Sequence, residues 1–378
     1  MAWLVGLAGG LGADGPPALS RGPLPRFLWH RAGEWRSGAG GAAQTYPDLR
    51  ALAHDGPFFR QRMQAGPGWG WFGFSFDPSR PWPGFPAAMA VVPAQATASA
   101  TAPPPLHRPS RATHGPAEDG GLDPDRCGWR AAFASVAAAL HAGAVEKAVL
   151  ARPHRLPPAE PFRLLQALVD VEPAAAHYLV QTDGTNALVG ASPETLAHVR
   201  GDTLHTHALA GTQRRDGAAP PPGEHAAVVQ DMVARLQDLG LRPRVAASRP
   251  MRLRHVEHTE TRIEAELSSH GLLDIAAALH PTPATCGVPR DAAMRLLRTV
   301  EPAPRGWYGG GVGWMDADGE GHITVALRCA LVTAQATEAW VGAGIVAGSD
   351  EELEWQETQA KLRGLAEAVA RARAEGGT

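Results

Sequence analysis

Apolar and polar positions follow two different periods along this chain, and the two periods alternate. Short apolar runs that end at Gly, Pro or an Asp-Gly pair are typical of β-strands, whereas apolar residues three and four positions apart are typical of amphipathic helices. Runs of the first kind predict strands at residues 27–30, 69–76, 87–92, 145–152, 177–182, 187–190, 203–210, 251–261 and 340–346, with a hairpin over 305–332. Segments of the second kind predict helices at residues 129–142, 161–171, 224–239, 272–280 and 291–299. Strands and helices interspersed in this way fit an α+β fold without determining its topology.

The first 120 residues differ in pattern from the rest. An apolar run at residues 1–15 lacks a preceding basic segment, and we interpret it as a first strand and turn rather than a signal peptide. Residues 93–121 are rich in Pro, Ala, Ser and Thr and predict a linker or a long surface loop. We therefore separate an N-terminal part, residues 1–120, from a main region, residues 121–378.

The C-terminal strand and helix carry the most distinctive charge pattern. Ser349, followed three residues later by Glu352, predicts a capping box at the start of the helix. Glu354, Glu357 and Lys361 stand at positions i, i+3 and i+7, so they share an arc of roughly 60° on one helix face. The spacing alone leaves two interpretations open: a solvated face with a Glu–Lys pair, or charges directed at a ligand.

Four further charged residues stand where the pattern predicts a strand, a bend or a helix end. Lys147 lies in an apolar strand, where it either snorkels at a sheet edge or pairs with an anion. Arg328 lies among apolar residues in the middle of a predicted strand and also calls for an anionic partner. Glu224 begins a helix, where it complements the helix dipole or serves as a ligand. Glu194 follows a Ser-Pro pair that interrupts a strand, which places it at a bend.

Composition narrows the classes of partner. The chain has 378 residues, enough for one large domain or two ordinary ones, and a formal net charge of −3. This balance gives no electrostatic footprint for nucleic acid or for an anionic membrane, and no apolar run is long enough to span a bilayer. Three widely spaced cysteines without a Cys-x-x-Cys pair indicate a reducing compartment, the cytoplasm, and argue against a structural zinc site.

Eight stretches of the chain resemble one enzyme family, and they occur in that family's order. They are EKAVLAR, GASPETL, LAGTQRR, EHAAVV, HPTPATCGVPR, RGWYGGGVGW, VALRCA and VGAGIVAGSDEELEWQETQAK. This set resembles the chorismate-utilising enzymes, which include isochorismate synthases, salicylate synthases and the large subunits of anthranilate and aminodeoxychorismate synthases. The resemblance implies the anthranilate-synthase-like α+β fold, two stacked, mostly antiparallel β-sheets surrounded by helices. Residues 1–120 would form a variable part of that fold, and residues 121–378 the chorismate-binding catalytic region.

The resemblance also implies a Mg²⁺ site built from carboxylates on two helices. The matching positions are Glu224 and Glu357, with Glu354 as a further ligand or a supporting group. Carboxylate oxygens together with water suit Mg²⁺. In the family the metal binds the ring carboxylate of chorismate.

Five other positions match the family's substrate site. The resemblance implies that Arg328 binds the enolpyruvyl carboxylate through a forked pair of hydrogen bonds. Lys361 and the backbone amide of Gly211 are expected to support the carboxylates. Thr212 and Gly344 complete the expected set of substrate-binding residues.

Two of the matching positions indicate which nucleophile the resemblance implies. In this family a lysine in the strand that matches EKAVLAR accompanies water as the nucleophile, and Lys147 stands there. Members that form a covalent intermediate have a lysine where this chain has Ala210, which cannot attack. The resemblance therefore implies that water adds at C2 of chorismate while the C4 hydroxyl leaves. Lys147 is then the general base and Glu194 the general acid, and His258 orients the departing hydroxyl.

The implied activity is that of a Mg²⁺-dependent isochorismate synthase, an isomerase of the hydroxymutase type. HPTPATCG resembles that group more closely than the salicylate synthases, which also eliminate pyruvate. Salicylate synthase stays open as an alternative, as does a catalytically silent relative that only binds a ligand. Chorismate is the expected partner of a monomer, and no glutaminase subunit is expected because water replaces ammonia. The downstream pathway, menaquinone, siderophore or another, stays open.

Overall fold

The computed structural model describes residues 24–32, 34–41, 43–99, 124–184, 186–213 and 223–374. The strand expected at residues 1–15 and most of the linker expected at residues 93–121 lie outside these ranges. Within them the chain forms two large β-sheets with helices on their outer faces. The α+β fold implied by the resemblance is confirmed.

The described strands are numbered in chain order. They are β1 (Arg26–Arg31), β2 (Glu34–Ala39), β3 (Ala43–Tyr46), β4 (Trp69–Phe74), β5 (Ala88–Val91), β6 (Gln95–Ser99), β7 (Lys147–Leu156), β8 (Ala176–Gln181), β9 (Ala187–Ser192), β10 (Thr195–Arg200), β11 (Thr203–Gln213), β12 (Arg244–Val245), β13 (Arg249–Arg252), β14 (Glu257–Glu266), β15 (Gly287–Val288), β16 (Gly311–Asp316), β17 (Gly321–Val325), β18 (Cys329–Val332) and β19 (Thr337–Val346).

The described helices are numbered in the same way. They are α1 (Leu49–His54), α2 (Gly56–Gln64), α3 (Pro124–His141), α4 (Pro161–Val171), α5 (Glu224–Asp238), α6 (Leu272–Leu279), α7 (Arg290–Val300) and α8 (Glu351–Ala374). The sequence predicts five of these, α3 to α7, and the C-terminal helix α8, with small errors at their ends.

Both sheets are antiparallel and mix strands from distant parts of the chain. In the described residues the first sheet has the order β15-β7-β19-β18-β9-β8-β1-β2-β6. The second has the order β12-β14-β11-β10-β17-β16-β4-β5-β3, and β13 pairs with β14. The N-terminal strands therefore extend the same two sheets that the C-terminal strands build.

The two sheets face each other across a core of aromatic side chains. Phe27 of β1 stacks on Trp71 of β4, with ring centroids 5.3 Å apart. Trp29 packs edge-on against Trp314 of β16 at 5.9 Å. Because β1 belongs to the first sheet and β4 and β16 belong to the second, these contacts join the layers of the sandwich.

Helices cover the outer faces with the apolar stripes that their sequences predict. Leu362 and Leu365 of α8 share one buried cluster with Leu164 and Leu168 of α4, on the outside of the first sheet. A corresponding cluster on the second sheet includes Val228 of α5 and residues of α1 and α6. This packing determines which faces of α5 and α8 stay outside the apolar clusters and are available for a functional site. No helix in the described ranges is both long enough and apolar enough to cross a bilayer.

Two strand predictions are wrong in their boundaries. The strand predicted over residues 251–261 is divided between β13 and β14 by a tight turn, in which the N–H of Leu253 donates to the carbonyl of Val256 at 2.9 Å. Pro153 does not end β7, which continues to Leu156. Pro153 shares its orientation with Ala151, whose N–H points away from β19 towards Glu301, so β7 loses no bond to β19 at the proline.

Two predictions at segment ends are also wrong. Residues 95–99, assigned to the linker, form β6 at the edge of the first sheet. The capping box at Ser349 and Glu352 is absent: Asp350 Oδ1 accepts from the N–H of Leu353 at 2.9 Å, and the Ser349 hydroxyl accepts from Val346 N at 3.1 Å. The helix thus begins one residue later than the motif indicates, at Glu351.

Candidate active site

A cavity lies where the ends of several strands from both sheets meet the first turns of α5 and α8. Of the eleven residues that the sequence singles out, nine line it. They are Lys147, Glu194, Gly211, Glu224, His258, Arg328, Gly344, Glu357 and Lys361. Glu354 is buried beside the cavity rather than in its wall. Thr212 belongs to β11, and its side chain lies outside the described part of the structure.

Lys147 is held by a carboxylate rather than by solvent. Its Nζ donates to Glu224 Oε1 at 2.8 Å, and the residue is 2 % exposed. Glu224 is the first residue of α5, so one contact joins the strand of the lysine to the start of a helix. The sheet-edge interpretation of Lys147 is therefore wrong, and so is an explanation of Glu224 by the helix dipole alone.

Gly344 provides the space in which this pair lies. A Cβ atom at Gly344 would stand 2.5 Å from Glu224 Oε1 and 3.0 Å from the Cε atom of Lys147. Any side chain at position 344 would displace the pair. Glycine is required here by close approach, not by its backbone conformation.

The charged face of α8 points into the cavity. Lys361 Nζ donates to Glu357 Oε1 at 2.5 Å and to the carbonyl oxygen of Gly342 at 2.9 Å. The side chains of Lys361 and Glu357 are only 16 % and 12 % exposed. The solvated-face interpretation is therefore wrong for this helix.

The pKa of Glu354 is shifted by its surroundings. Burial, followed by repulsion from the negative charge of Glu357 and, more weakly, of Glu224, raises the pKa of Glu354 to about 7. Glu357 and Glu224 thus lie close enough to disfavour the charged form of Glu354. A divalent cation between them would relieve that repulsion.

These carboxylates suit a cation that takes its remaining ligands from water or substrate. Carboxylate oxygens are the ligands that Mg²⁺ prefers, and Mg²⁺ usually keeps several waters. Among the residues that the structure describes, no three His, Cys, Asp or Glu side chains form a complete metal cluster, and Glu224 and Glu357 each bind a lysine. A metal at this place therefore needs substrate or water oxygens besides these carboxylates.

Glu194 is placed at the bend between β9 and β10 and is fully buried. Burial raises the pKa of Glu194 to about 8, although the positive charges of Lys147 and Lys361 act in the opposite direction. The carboxyl is therefore mostly protonated at pH 7 and able to donate a proton. Its backbone is held from both sides: the Thr324 hydroxyl donates to its carbonyl at 2.7 Å, and its N–H donates to the Ser192 hydroxyl at 3.2 Å.

His258 and Arg328 form a second polar group in the wall. Arg328 Nη2 lies 3.3 Å from His258 Nε2. A guanidinium can only donate, so Nε2 accepts and the ring proton is on Nδ1. Burial, with the charges of Lys361 and Arg328, keeps the pKa of His258 well below its usual value. The imidazole is therefore neutral.

The prediction that Arg328 lies in the middle of a strand is wrong. It stands between β17 and β18 with a φ of 47°, in the left-handed region that non-glycine residues seldom adopt. The chain must break the ladder here to turn this side chain into the cavity. β11 is interrupted in a similar way at Gly211, which has a φ of 71° and lies at a register shift between Ala210 and Thr212.

The wall also contains residues to which sequence reasoning gave no role. They are Ala284, Thr285, Arg305, Tyr308 and Trp340, among others. Arg305 is buried: its guanidinium pairs with Glu301 and donates to the carbonyls of Val149, at 2.5 Å, and Thr285, at 2.7 Å. Two of these positions fall within HPTPATCGVPR and two within RGWYGGGVGW. The resemblance marks those stretches, but no periodicity distinguishes a lining residue in a loop.

Two comparisons of sequence point to one family. A family model described as chorismate binding enzyme matches residues 74–220, and a second model of the same description matches residues 222–370. The salicylate biosynthesis isochorismate synthase of Pseudomonas aeruginosa is 34% identical over 284 residues, 70% of this chain and 59% of that protein. The isochorismate synthase MenF of Escherichia coli is 33% identical over 259 residues, 64% of this chain and 60% of that protein. The chain thus spans about 60% of the length of these curated relatives.

Solved structures agree in fold over a larger share of the chain. The crystal structure of MenF from Escherichia coli superposes with a TM-score of 0.74 at 26% identity, covering 93% of this chain and 90% of that one. The structure described as a putative 2,3-dihydroxybenzoate-specific isochorismate synthase, DhbC, from Bacillus anthracis superposes with a TM-score of 0.78 at 23% identity, covering 92% and 96%. The common architecture thus extends over more than nine-tenths of this chain.

Proposed function

This chain belongs to the family of chorismate-binding enzymes, and on that premise we propose that it is an isochorismate synthase, which converts chorismate to isochorismate. Relatives of that name at 33% to 34% identity support the proposal. The observation that carries it is the meeting of a buried lysine and a buried neutral glutamic acid, Lys147 and Glu194, in one cavity.

The reaction needs one proton removed and one proton supplied. Water adds at C2 of chorismate as the hydroxyl at C4 leaves, so the attacking water must lose a proton and the departing oxygen must gain one. The hydroxyl that enters balances the one that departs, and the product is an isomer of the substrate. A base and an acid on different walls of one site suit this exchange.

Lys147 is proposed as the base. It reaches the cavity from β7, and its ammonium is held by Glu224. The neutral amine takes the proton from the attacking water.

Glu194 is proposed as the acid. Its carboxyl is protonated at neutral pH because burial raises its pKa to about 8. The neighbouring charges of Lys147 and Lys361 stabilise the carboxylate that remains after the proton has gone. His258 is neutral because its pKa lies well below its usual value, so it has no proton to spare as an acid, and we assign it to orienting the departing hydroxyl by a hydrogen bond.

The substrate's two carboxylates call for cations, and the wall provides them. Arg328 presents a guanidinium that can bind a carboxylate in a forked geometry. Lys361 and the amide at Gly211 line the same cavity and are assigned to the carboxylates as well. Gly344 leaves room for the lysine pair, and Thr212 adjoins Gly211 on β11.

Mg²⁺ is proposed as the cofactor, with Glu224 and Glu357 as ligands and Glu354 as a third ligand or a supporting carboxylate. When bound, the metal supplies a positive charge that fixes a substrate carboxylate and offsets the repulsion among these side chains. Glu224 and Glu357 bind Lys147 and Lys361 here, so a metal held by these two carboxylates would share them with the lysines.

The remaining assignments follow from the chemistry. Because water is the nucleophile, no ammonia-supplying subunit is required, and we propose that the chain acts as a monomer. Its three cysteines are unpaired, in keeping with the reducing cytoplasm as the proposed compartment.

The test is a product analysis. Purified protein is incubated with chorismate and Mg²⁺, and the products are separated by reversed-phase chromatography with pyruvate assayed in parallel. Isochorismate without pyruvate is expected, and activity should disappear with EDTA and return with added Mg²⁺. Salicylate with an equivalent of pyruvate would identify a salicylate synthase instead, and no turnover by folded, metal-loaded protein would contradict the proposal.

A further inference from the structure

The residue that follows Glu194 is held from the opposite side of β10. Glu194 lines the active-site cavity, whereas Thr195 lines a second cavity between the sheets. Four side chains from other strands reach Thr195 or support the contacts to it, and none of them lines the first cavity. They are Arg31, His207, Glu260 and His322.

His207 contacts the backbone of Thr195. Its Nε2 accepts from the backbone N–H of Thr195 at 2.9 Å, and its Nδ1 lies 3.2 Å from Glu260 Oε1. A backbone N–H can only donate, so Nε2 is unprotonated and the ring proton lies on Nδ1, directed at Glu260. Glu260 therefore fixes the tautomer that Thr195 requires.

Glu260 is kept charged for this task. The hydrogen bond from His207 and the contact with Arg249, whose Nε lies 2.6 Å from Glu260 Oε2, lower the pKa of Glu260 to about 2. Both His207 and Glu260 are buried. Glu260 lies outside the active-site cavity, and the proposed chemistry gives it no role.

The sheet holds Thr195 on one side only, through its pairing with Thr324 of β17. β10 and β11 pair only from His198 and His205 onwards. The register of β10 against β17 shifts between Thr195 and Ala197. The N–H of Thr195 therefore has no ladder partner on β11, and the His207 side chain takes the place of one.

The hydroxyl of Thr195 is fixed in the same manner. Arg31 Nη1 donates to it, and the same Arg31 nitrogen lies 2.8 Å from His322 Nε2. His322 Nε2 in turn lies 3.1 Å from the hydroxyl. The chain at Glu194 and Thr195 is thus held by the ladder to β17 on one side, where the N–H of Val325 donates to the Glu194 carbonyl at 3.0 Å, and by side chains on the side of β11.

We propose that His207, oriented by Glu260, is a positioning residue for the general acid Glu194, which it acts on through the backbone of Thr195. The inference rests on the proposed function, because it concerns the acid of that reaction. His207 does not touch the substrate cavity, so its effect is on where the proton donor stands and not on how chorismate is bound.

The chain offers a matched control two residues away. His205 lies on the same strand, and its Nδ1 is also 3.2 Å from a glutamate, Glu264. The side chains of His205 and Glu264 are 40% and 46% exposed. The same substitution at His205 therefore removes a similar pair without releasing Thr195.

The experiment compares His207→Leu, His207→Gln and His205→Leu with the wild-type protein in steady-state assays with chorismate and Mg²⁺. His207→Leu should lower kcat by about tenfold to a hundredfold, as expected for a displaced catalytic group, with KM changed less than about threefold. His207→Gln should recover most of kcat, because its amide oxygen and nitrogen can replace the acceptor and the donor of the ring. His205→Leu should behave as wild type.

The pH profile separates positioning from a general loss of structure. The rate should fall at high pH as Glu194, flanked by Lys147 and Lys361, loses its proton. In His207→Leu this basic limb should move to lower pH by about half a unit or more, because a loosely held carboxyl gains solvent. If His207→Leu does not fold, Glu260→Gln provides the same comparison with a smaller expected loss of kcat.

The outcomes distinguish this inference from the proposed function. A wild-type protein without turnover contradicts the proposed function itself. If the wild-type protein is active, an unchanged kcat and an unchanged pH profile in His207→Leu overturn the positioning role. The same result in Glu260→Gln overturns it if His207→Leu does not fold. Equal losses of kcat in His207→Leu and His205→Leu also overturn it. So does a loss of kcat in His207→Leu that His207→Gln does not restore, if the basic limb of the pH profile stays in place.

Discussion

Two lysine–glutamate pairs line the same cavity, and the chain builds them in opposite ways. Lys361 and Glu357 are four residues apart on α8, with Nζ and Oε1 2.5 Å apart. Lys147 and Glu224 are 77 residues apart, on β7 and α5, and their atoms are 2.8 Å apart. The first pair follows from helical spacing alone, whereas the second exists only because the fold brings a strand and a helix end together.

The pairs also differ in exposure, and that difference indicates their tasks. The Lys147 side chain is 3% exposed and the Lys361 side chain 16%. A nearly dry amine is screened from bulk solvent, which suits a group that exchanges a proton with one bound water. A more accessible ammonium that also binds the Gly342 carbonyl suits the fixed positive charge of a binding group.

The largest expected effect is that of Lys147→Ala. Removing the proposed base should lower kcat by about a thousandfold, within the usual range for general acid–base catalysis, while KM for chorismate changes less than about threefold. Steady-state kinetics, with ligand binding measured by calorimetry on the inactive protein, checks both parts. Activity within tenfold of wild type would remove Lys147 from the chemistry.

Gly344→Ala breaks the same pair without altering either charged group. The new Cβ would stand 2.5 Å from Glu224 Oε1, so we expect the pair to separate and kcat to fall by about tenfold to a hundredfold. Gly128→Ala is the control, because nothing lies within 4 Å of a Cβ at Gly128 in α3. Equal activity in both variants would show that the lysine pair tolerates displacement.

Lys361→Met tests the other pair. It removes a positive charge from the substrate side and keeps the length of the side chain, so KM should rise by about tenfold, the size of one charge-assisted hydrogen bond. kcat should fall by less than KM rises, because Lys361 is the weaker of the two positive charges that act on Glu194. A large loss of kcat at constant KM would erase the distinction between the two lysines.

Glu354 lies beside both pairs, and its substitution should have the smallest effect, on stability. An unfolded glutamate loses its proton near its ordinary pKa of 4.5, whereas in the folded protein the pKa of Glu354 is about 7. The unfolded state therefore releases its proton first, and the wild-type protein loses stability as pH rises from about 4.5 to about 7. Glu354→Gln should abolish this loss and be about 1–3 kcal/mol more stable than wild type at pH 8, without a gain at pH 4.

Urea unfolding at pH 4 and at pH 8, with EDTA present, measures this difference. Repeating the pH 8 measurement with Mg²⁺ sharpens the metal assignment, since the cation should stabilise wild type more than Glu354→Gln. A stability difference that does not depend on pH would show that Glu354 is already neutralised by another group.

Sequence patterns predicted most of the secondary structure, and the errors have identifiable causes. Periodicity located α4 and α6 closely because their apolar stripes are long and bounded by Pro or Gly. It missed the turn between β13 and β14 because that turn contains no Gly or Pro. It also treated Pro153 as a strand end, since the pattern cannot show which side of a strand has a neighbour.

The site was predictable in its members but not in its connections. The resemblance named Lys147, Glu194 and Glu224, and the structure places all three around one cavity. No property of the sequence indicated that the lysine is held by that glutamate, or that burial makes Glu194 a neutral acid. Such facts depend on contacts between segments distant in the chain, and so does the contact of His207 with Thr195.

The pair formed by Glu301 and Arg305 has a consequence for solubility. β15 pairs with the first two residues of β7, and the carbonyl of Cys286 accepts from the N–H of Val149 at 2.8 Å. Beyond that bond the strand would present unpaired N–H and carbonyl groups along an open border. Glu301 accepts from Ala151 N at 3.0 Å, and Arg305 donates to the Val149 carbonyl at 2.5 Å. Two side chains thus occupy the positions that a foreign strand would otherwise use, and the strand that carries Lys147 is shielded from edge-to-edge aggregation.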